Sequence, residues 1–326
     1  MAIIKHNRSV IDHLKNDPKP FISFEIIPPK RGGSLTDLEK VVSELASYSP
    51  PYIDVTSHPS EAIYKETAEG IKRKVTKKRP GTLGICVLIQ HKHKIDAVPH
   101  IICRGFTREE TEDFLIDLSY SWIKNVLAIQ GDDSGYQKKF SPDKTINMYA
   151  SDLVEQIANI NKGKYLDEDL NNAEPTNFCI GVAGYPEKHF QAPNLDTDIK
   201  NLKRKQEAGA SYIVTQMFFD NKVYYEFHDK CKSMGINVPI LPGLKILDSK
   251  NQLQSIPERF YCAIPIELTN KIEKAKEENV EDIGVDWAYS QIKDLFDRGV
   301  PSVHLYVMLK TPGVKKLMEK LRGIIS

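Results

Sequence analysis

The sequence contains no apolar run approaching the roughly 20 residues that a membrane helix needs. Its opening stretch, MAIIKHNRSVIDHLKNDPKP, has no apolar core of a secretory signal. Both absences lead us to expect a cytoplasmic protein with no membrane partner. Cysteine is sparse: Cys86, Cys103, Cys179, Cys231 and Cys262 are scattered, odd in number and never spaced C-x-x-C. That pattern excludes a disulfide framework and a zinc knuckle, and the five read as reduced thiols. Charge of one sign is lacking too. The 45 Lys and Arg against 44 Asp and Glu leave a net charge of +1, so no surface built around nucleic-acid phosphates is expected. There is no P-loop and no G-x-G-x-x-G after a strand, hence no Walker or Rossmann nucleotide site. His100, His189 and His304 stand alone, without H-E-x-x-H, so no catalytic metal is expected.

What is present is a regular alternation. Short β-branched apolar runs are followed by longer amphipathic stretches, as in βαβ units around a parallel sheet. Eight strands can be counted: FISFEII from Phe21, YIDVT from Tyr52, VPHII from Val98, NVLAIQ from Asn125, FCIGVA from Phe178, YIVTQ from Tyr212, VPILP from Val238 and SVHLYV from Ser302. TLGICVLI from Thr82 is an equally good strand and competes for the third place. Six segments between them carry apolar residues at helical spacing, and several end in Gly near a C-cap. The chain of 326 residues, with 40% hydrophobic residues, therefore reads as α/β, a single-domain (β/α)8 TIM barrel occupying 1–326 with its barrel proper at about 21–310. The stretches 132–147 and 162–176 read as loops.

In such a barrel, chemistry sits where strands end at the C-terminal mouth. Glu25 lies inside an apolar strand pattern before Pro28 and Pro29. Burial would raise its pKa and make it a general acid, although an outward-facing surface glutamate fits the alternation equally well. Thr56, His100, Gly131 with Asp132, and the run Ala183 to Glu187 lie at other strand ends. Gln216 could read both edges of a heterocycle, or it could be a satisfied core amide. Asn201-Leu202-Lys203-Arg204-Lys205 is a basic cluster that suits a pyrophosphate if it faces the mouth and is otherwise a solvated helix face.

The motifs FEIIPPK, YIDVTS, IQGD, MYASDLV, IGVAGYPEKH, NLKRKQEAGA, TQMFFD and PGLK occur in one order over about Phe21 to Lys310. Together they resemble the successive motifs of methylenetetrahydrofolate reductases of the bacterial, flavin-dependent type. The resemblance implies FAD as cofactor, with NADH or NADPH and 5,10-methylenetetrahydrofolate as substrates and 5-methyltetrahydrofolate as product, feeding methionine synthesis. By resemblance Glu25 is the general acid that opens the imidazolidine ring, and Asp132 is the catalytic acidic group beside flavin and pterin. Thr56, His100, Ile129, Gly131, Asp132, Tyr149, Ala150, Ala183, Tyr185, His189, Asp198, Asn201, Arg204 and Lys205 fall on FAD contacts. Glu25, Asp132, Gln216, Gln252 and Lys310 fall on substrate contacts.

Three positions depart from the family pattern. Lys310 replaces an arginine, which trades a bidentate clamp for a point charge. Gln130 stands where many members have arginine, and Ile256 where some bacterial members have a stacking aromatic. The sequence ends soon after the eighth strand, so no S-adenosylmethionine-sensing regulatory domain is expected, and bacterial members suggest a homo-oligomer. Two other classes stay open: a pterin-binding barrel that transfers one-carbon groups without redox chemistry, and a silent barrel serving a partner reductase.

Overall fold

The computed structural model describes residues 7–18, 20–131, 138, 140–141 and 144–325. Eight parallel strands close into a barrel: β1 (Phe21–Ile26), β2 (Tyr52–Val55), β5 (Asp96–Ile102), β6 (Asn125–Ile129), β7 (Cys179–Gly184), β8 (Tyr212–Met217), β9 (Ile240–Leu244) and β10 (Ser302–Met308), with β10 returning to pair with β1. All eight expected strands are there. The alternative third strand is not: Thr82–Val87 is a helix, α3, continued by a π-helical turn, Leu88–His93, that ends on Lys94 at φ 60°. The physical reason is local. Gln90, in this segment, accepts from the N–H of Ala97 at 2.9 Å and donates to Asp96 at 3.1 Å, so the segment lies outside the ladder and clamps the strand that follows it.

The expected outer helices form as α2 (Leu35–Ala46), α4 (Arg108–Tyr120), α5 (Ala150–Ile160), α6 (Leu195–Ala208), α7 (Asn221–Ser233) and α10 (Val280–Asp297). Their starts are chemically marked. Ser34 and Asn194 accept from the third backbone N–H of α2 and α6, and Thr107 with Glu110 forms a capping box on α4. Helices α8 (Gln252–Phe260) and α9 (Ile266–Lys274), between β9 and α10, and the terminal α11 (Pro312–Lys320) complete the ring.

Two elements lie apart from the barrel wall. Helix α1 (Val10–Asn16) caps its N-terminal end: the N–H of Val10 donates to Asn125 at 2.9 Å, and Nε2 of His13 meets Asp96 at 2.8 Å. After β2, a hairpin of β3 (Glu61–Thr67) and β4 (Gly70–Thr76) leaves the barrel on the mouth side, exposed on both faces.

The side-chain period of two along each strand sorts the interior from the shell. Ile22, Phe24, Ile53, Val55, Val303 and Leu305 point outward into the main core beneath the helices. Phe21, Tyr52, Val98, Tyr212 and Leu241 fill the bottom of the barrel with Val10 and Leu14. Gly181 in β7 makes room for Tyr212, because a β-carbon there would overlap the tyrosine ring. Above this apolar floor, the same alternation brings Ser23, Glu25, Asp54, His100, His304 and Tyr306 inward.

Candidate active site

Glu25 is 7% exposed, on the last inward position of β1 beside Asp54 of β2 and Tyr306 of β10. Its Oε2 lies 3.4 Å from Nε2 of His100 and 3.7 Å from Nε2 of His304, and Nδ1 of His304 is 2.9 Å from the Ser23 hydroxyl. Beside it the β1–β10 register shifts, and Met308 takes a left-handed φ of 64°. Such a bulge at a barrel rim re-aims side chains at the mouth.

The expectation that burial alone would raise the pKa of Glu25 is corrected here. Desolvation does push its carboxyl up, but His100, His304 and Lys245 outweigh it and hold the group below the usual carboxylate range. His100 moves the opposite way. Burial pulls it down, while Glu25 and Asp54 stabilise its charged form and leave it above the ordinary imidazole value. The two titrate as a pair.

Around the mouth, the remaining candidates fall into three groups. The first lies on the β7–α6 side. Lys205 sends its ammonium back to the carbonyl of Ala183 at 2.9 Å, and desolvation lowers it to about 8. Asp198 accepts from the N–H of His189 at 2.8 Å and is raised by burial. His189 is depressed to about 4 by burial and by Lys205, Lys188 and Arg104. Its ring sits 4.5 Å from Tyr185, and Arg204 holds Asn201 at 3.2 Å. Arg204 is exposed, whereas Lys205 and Asn201 are half-buried. The basic cluster thus turns one ammonium inward and leaves the guanidinium in solvent.

The second group surrounds the exit of β6. Gly131 adopts φ 87°, where a side chain would be strained, and a β-carbon would press on Ile102 at 3.2 Å. Gln130 donates to the carbonyl of Met148 at 3.2 Å, and Asp152 collects the N–H groups of Met148 and Tyr149 at the start of α5. Ile129, Gly131, Tyr149 and Ala150 are thereby brought to one rim, with Thr56 across it following β2. The N–H of Thr56 is held by Ile26, and its hydroxyl is buried with no hydrogen-bond partner among the described residues. Asp132 lies outside the described residues.

The third group involves β8, β9 and β10. Gln216 folds its amide oxygen onto the N–H of Met217 at 2.9 Å, beside a break in the β8–β9 register. Gln252 accepts from the N–H of Asp248 at 2.7 Å, and Lys310 pairs with Asp248 at 3.1 Å. Lys310 is 71% exposed, and Ile256 is buried in a separate apolar cluster with Met217 and Phe219.

Sequence reasoning missed Asp54, Ser23, Lys245 and Asp248, and set His304 aside as isolated. Asp54 carried the signal used for Glu25, a charged residue at an inward-phase position of an apolar strand. Lys245 ends the PGLK motif, and Asp248 had no signal before the fold joined Gln252 to Lys310. No group of three or more His, Cys, Asp or Glu that could hold a metal occurs among the described residues, and all five cysteines are free and buried.

The family profile for methylenetetrahydrofolate reductase matches residues 10–322. Methylenetetrahydrofolate reductase (NADH) 1 of Arabidopsis thaliana is 30% identical over 313 residues, covering 92% of this chain and 48% of the plant protein. This chain thus spans about half the length of that relative. The 5,10-methylenetetrahydrofolate reductase of Buchnera aphidicola is 30% identical, covering 94% of this chain and 93% of its own. That of Escherichia coli is 28% identical, covering 88% and 86%. A Clostridium thermocellum structure, described as binding two copies of 5-methyl-5,6,7,8-tetrahydrofolic acid, superposes with a TM-score of 0.57 at 11% identity over 97% of this chain and 98% of that one, a likeness of fold. With the family's profile running from α1 to the end of α11 and relatives of similar length in bacteria, this chain belongs to the methylenetetrahydrofolate reductase family.

Proposed function

We propose that the barrel reduces 5,10-methylenetetrahydrofolate to 5-methyltetrahydrofolate with hydride from NADH or NADPH, using FAD as the bound carrier, and so feeds methionine synthesis. The observation that carries this reading is Glu25, a carboxyl enclosed at the barrel mouth within reach of two histidines. Ring opening of the substrate needs a proton placed on one amine nitrogen in a dry site, and an enclosed carboxylate beside an imidazole whose charged form it favours is suited to pass one on.

The residues present fit FAD. Lys205 is a desolvated cation answered by a neutral carbonyl and by Asp198, a setting that an incoming pyrophosphate would complete. Asn201, Arg204, Asp198, His189, Tyr185 and Ala183 would hold that end. Thr56, His100, Ile129, Gly131, Tyr149 and Ala150 would hold the remainder, with Gly131 making the positive-φ turn at the exit of β6. When bound, the flavin supplies hydride acceptance and donation, which no side chain can. Gln216 would orient the pterin or nicotinamide once its amide leaves Met217, and Gln252 and Lys310 would meet the folate tail around Asp248. Asp132 keeps its assignment beside flavin and pterin as part of this proposal.

The test is an anaerobic visible spectrum of FAD-supplemented protein, adding NADH or NADPH first and methylenetetrahydrofolate second. Bleaching followed by recovery is expected. Flavin that binds and never bleaches would favour the partner-dependent barrel, and protein that takes up no flavin would favour non-redox pterin chemistry.

A further inference from the structure

Beneath Glu25, strand β2 buries a carboxylate that the proposed chemistry has not used. Asp54 is 0% exposed, and neither of its oxygens makes a hydrogen bond among the described residues. Its Oδ2 lies 3.4 Å from Nε2 of His100, the same nitrogen that lies 3.4 Å from Oε2 of Glu25. One imidazole therefore stands between two buried carboxylates, one at the mouth and one deeper in the barrel. A carboxylate stripped of water without hydrogen bonds costs several kcal/mol unless a cation answers it. The only group placed to be that cation among the described residues is His100.

Other titratable groups complete the surroundings. His304 and Tyr306 of β10 and Lys245 beyond β9 act on Glu25, while Tyr52 of β2, Tyr212 of β8, Tyr306 and Cys86 of α3 act with Asp54. Burial keeps those tyrosines and that cysteine neutral by raising them, so they add dipoles and no charge. His304 and Lys245 act on the Glu25 side of the pair. Asp54 is the carboxylate on the inner side.

We propose that Asp54 is a positioning residue that keeps His100 protonated, making His100 the proton store from which Glu25 is reloaded; this rests on the folate-reducing reading above. The proton passes from Nε2 of His100 to Oε2 of Glu25, and the carboxyl O–H gives it to the amine nitrogen whose carbon–nitrogen bond opens. The bonding pair stays on that nitrogen, and the lone pair of the other ring nitrogen forms the iminium. His100 is left neutral and regains its proton from solvent.

The variant is Asp54→Asn, which keeps the shape and removes the charge. In flavin-free, folate-free protein, the His100 ring is followed by NMR with labelled histidine, its signals assigned by their loss in His100→Gln. His100 of the parent titrates above the ordinary value of about 6.5. In Asp54→Asn it moves down by about one unit or more, the size expected for losing an opposite charge at this range. In flavin-loaded protein, the alkaline limb of folate reduction moves to lower pH by a similar amount while nicotinamide oxidation keeps its pH profile. A parent His100 that titrates at or below 6.5 overturns the proposal even if the variant fails to fold, and so does an unchanged titration in a folded Asp54→Asn. A shifted His100 in a protein that never reduces folate would instead sink the proposed function and leave Asp54 as the counter-ion of His100.

Discussion

The ammonium of Lys205 points away from solvent and donates to the main-chain carbonyl of Ala183 at 2.9 Å, so helix α6 and the end of β7 share one desolvated cation at the barrel mouth. A carbonyl dipole answers a full positive charge only in part, and Asp198 supplies the rest at longer range. An anion arriving there gains a charge-assisted bond already held in place. Lys205→Met should weaken FAD binding by roughly 10- to 100-fold, the equivalent of about 1.5–3 kcal/mol for a hydrogen bond to a charged group. Thermal stability of the flavin-free protein should hold or rise slightly, because a poorly solvated charge has been removed. Flavin fluorescence titration checks the first and a melting curve the second. Unchanged affinity would remove the pyrophosphate from this site.

The same lysine makes flavin binding depend on pH. Its folded value of about 8 lies below its ordinary 10.5, so between those values the unfolded chain holds more protons than the folded one. Stability from this group therefore rises with pH across that window, and is lowest below pH 8. Binding an anion reverses the preference by favouring the ammonium. FAD affinity is expected to fall as pH rises through about 8, with proton uptake on binding above that pH, measurable by calorimetry in buffers of different ionisation enthalpy. A flat affinity from pH 7 to 9.5 would contradict it.

Glu25→Gln tests the acid separately from the hydride carrier. Glutamine keeps the shape beside His100 and His304 and cannot release a proton. FAD binding and nicotinamide oxidation should survive, while folate reduction should drop by about 10²- to 10⁴-fold, the usual contribution of a positioned acid. Single-turnover kinetics separates the two half-reactions. An equal loss in both would show that Glu25 shapes the site without acting as its acid.

The barrel was legible because burial on both faces writes each parallel strand as an apolar run, and because one strong amphipathic helix follows most of them. TLGICVLI was ambiguous for the same reason: a short apolar run between turn residues fits a buried helix as well as a strand. What decided it was Gln90 clamping Ala97 and Asp96, a contact no periodicity reveals. Glu25 was visible as a charge inside an apolar pattern, and Asp54 equally so. The direction of the shift at Glu25 was not legible, because it depends on His100, His304 and Lys245, which come from three other strands or their ends. Gln252 and Lys310 were legible only through family resemblance, and their meeting at Asp248 is a product of tertiary structure.

The hairpin β3–β4 escaped sequence reading because its alternation buries nothing. Lys65 faces Lys72 and Tyr64 faces Arg73 across the ladder, and Ile71 is 73% exposed. A two-stranded ribbon without a covered face is marginal by itself. Replacing residues 62–75 with a short Gly-Ser linker should therefore leave the melting temperature within about 3 °C, the equivalent of roughly 1 kcal/mol for a protein of this size or somewhat smaller. Differential scanning calorimetry measures it, and a drop of 10 °C would show that the hairpin covers more of the barrel than its exposure indicates.

Two helical glycines should respond to alanine with opposite signs. Gly84 in α3 has nothing within 4 Å of the position a β-carbon would take, so Gly84→Ala gains helix propensity of up to about 1 kcal/mol and should raise the melting temperature slightly. Gly284 in α10 lies against the backbone of Leu247, and an added methyl would overlap that carbonyl oxygen. The obstruction is main chain just beyond β9, which cannot rotate away as a side-chain tip would. The propensity gain is the same at both sites, so the difference between the variants isolates the packing. Overfilling a tight contact costs about 1–3 kcal/mol and more where backbone must shift. Gly284→Ala should therefore melt several degrees below the parent. If the two variants shift together, α10 is not seated against Leu247 as closely as the structure has it.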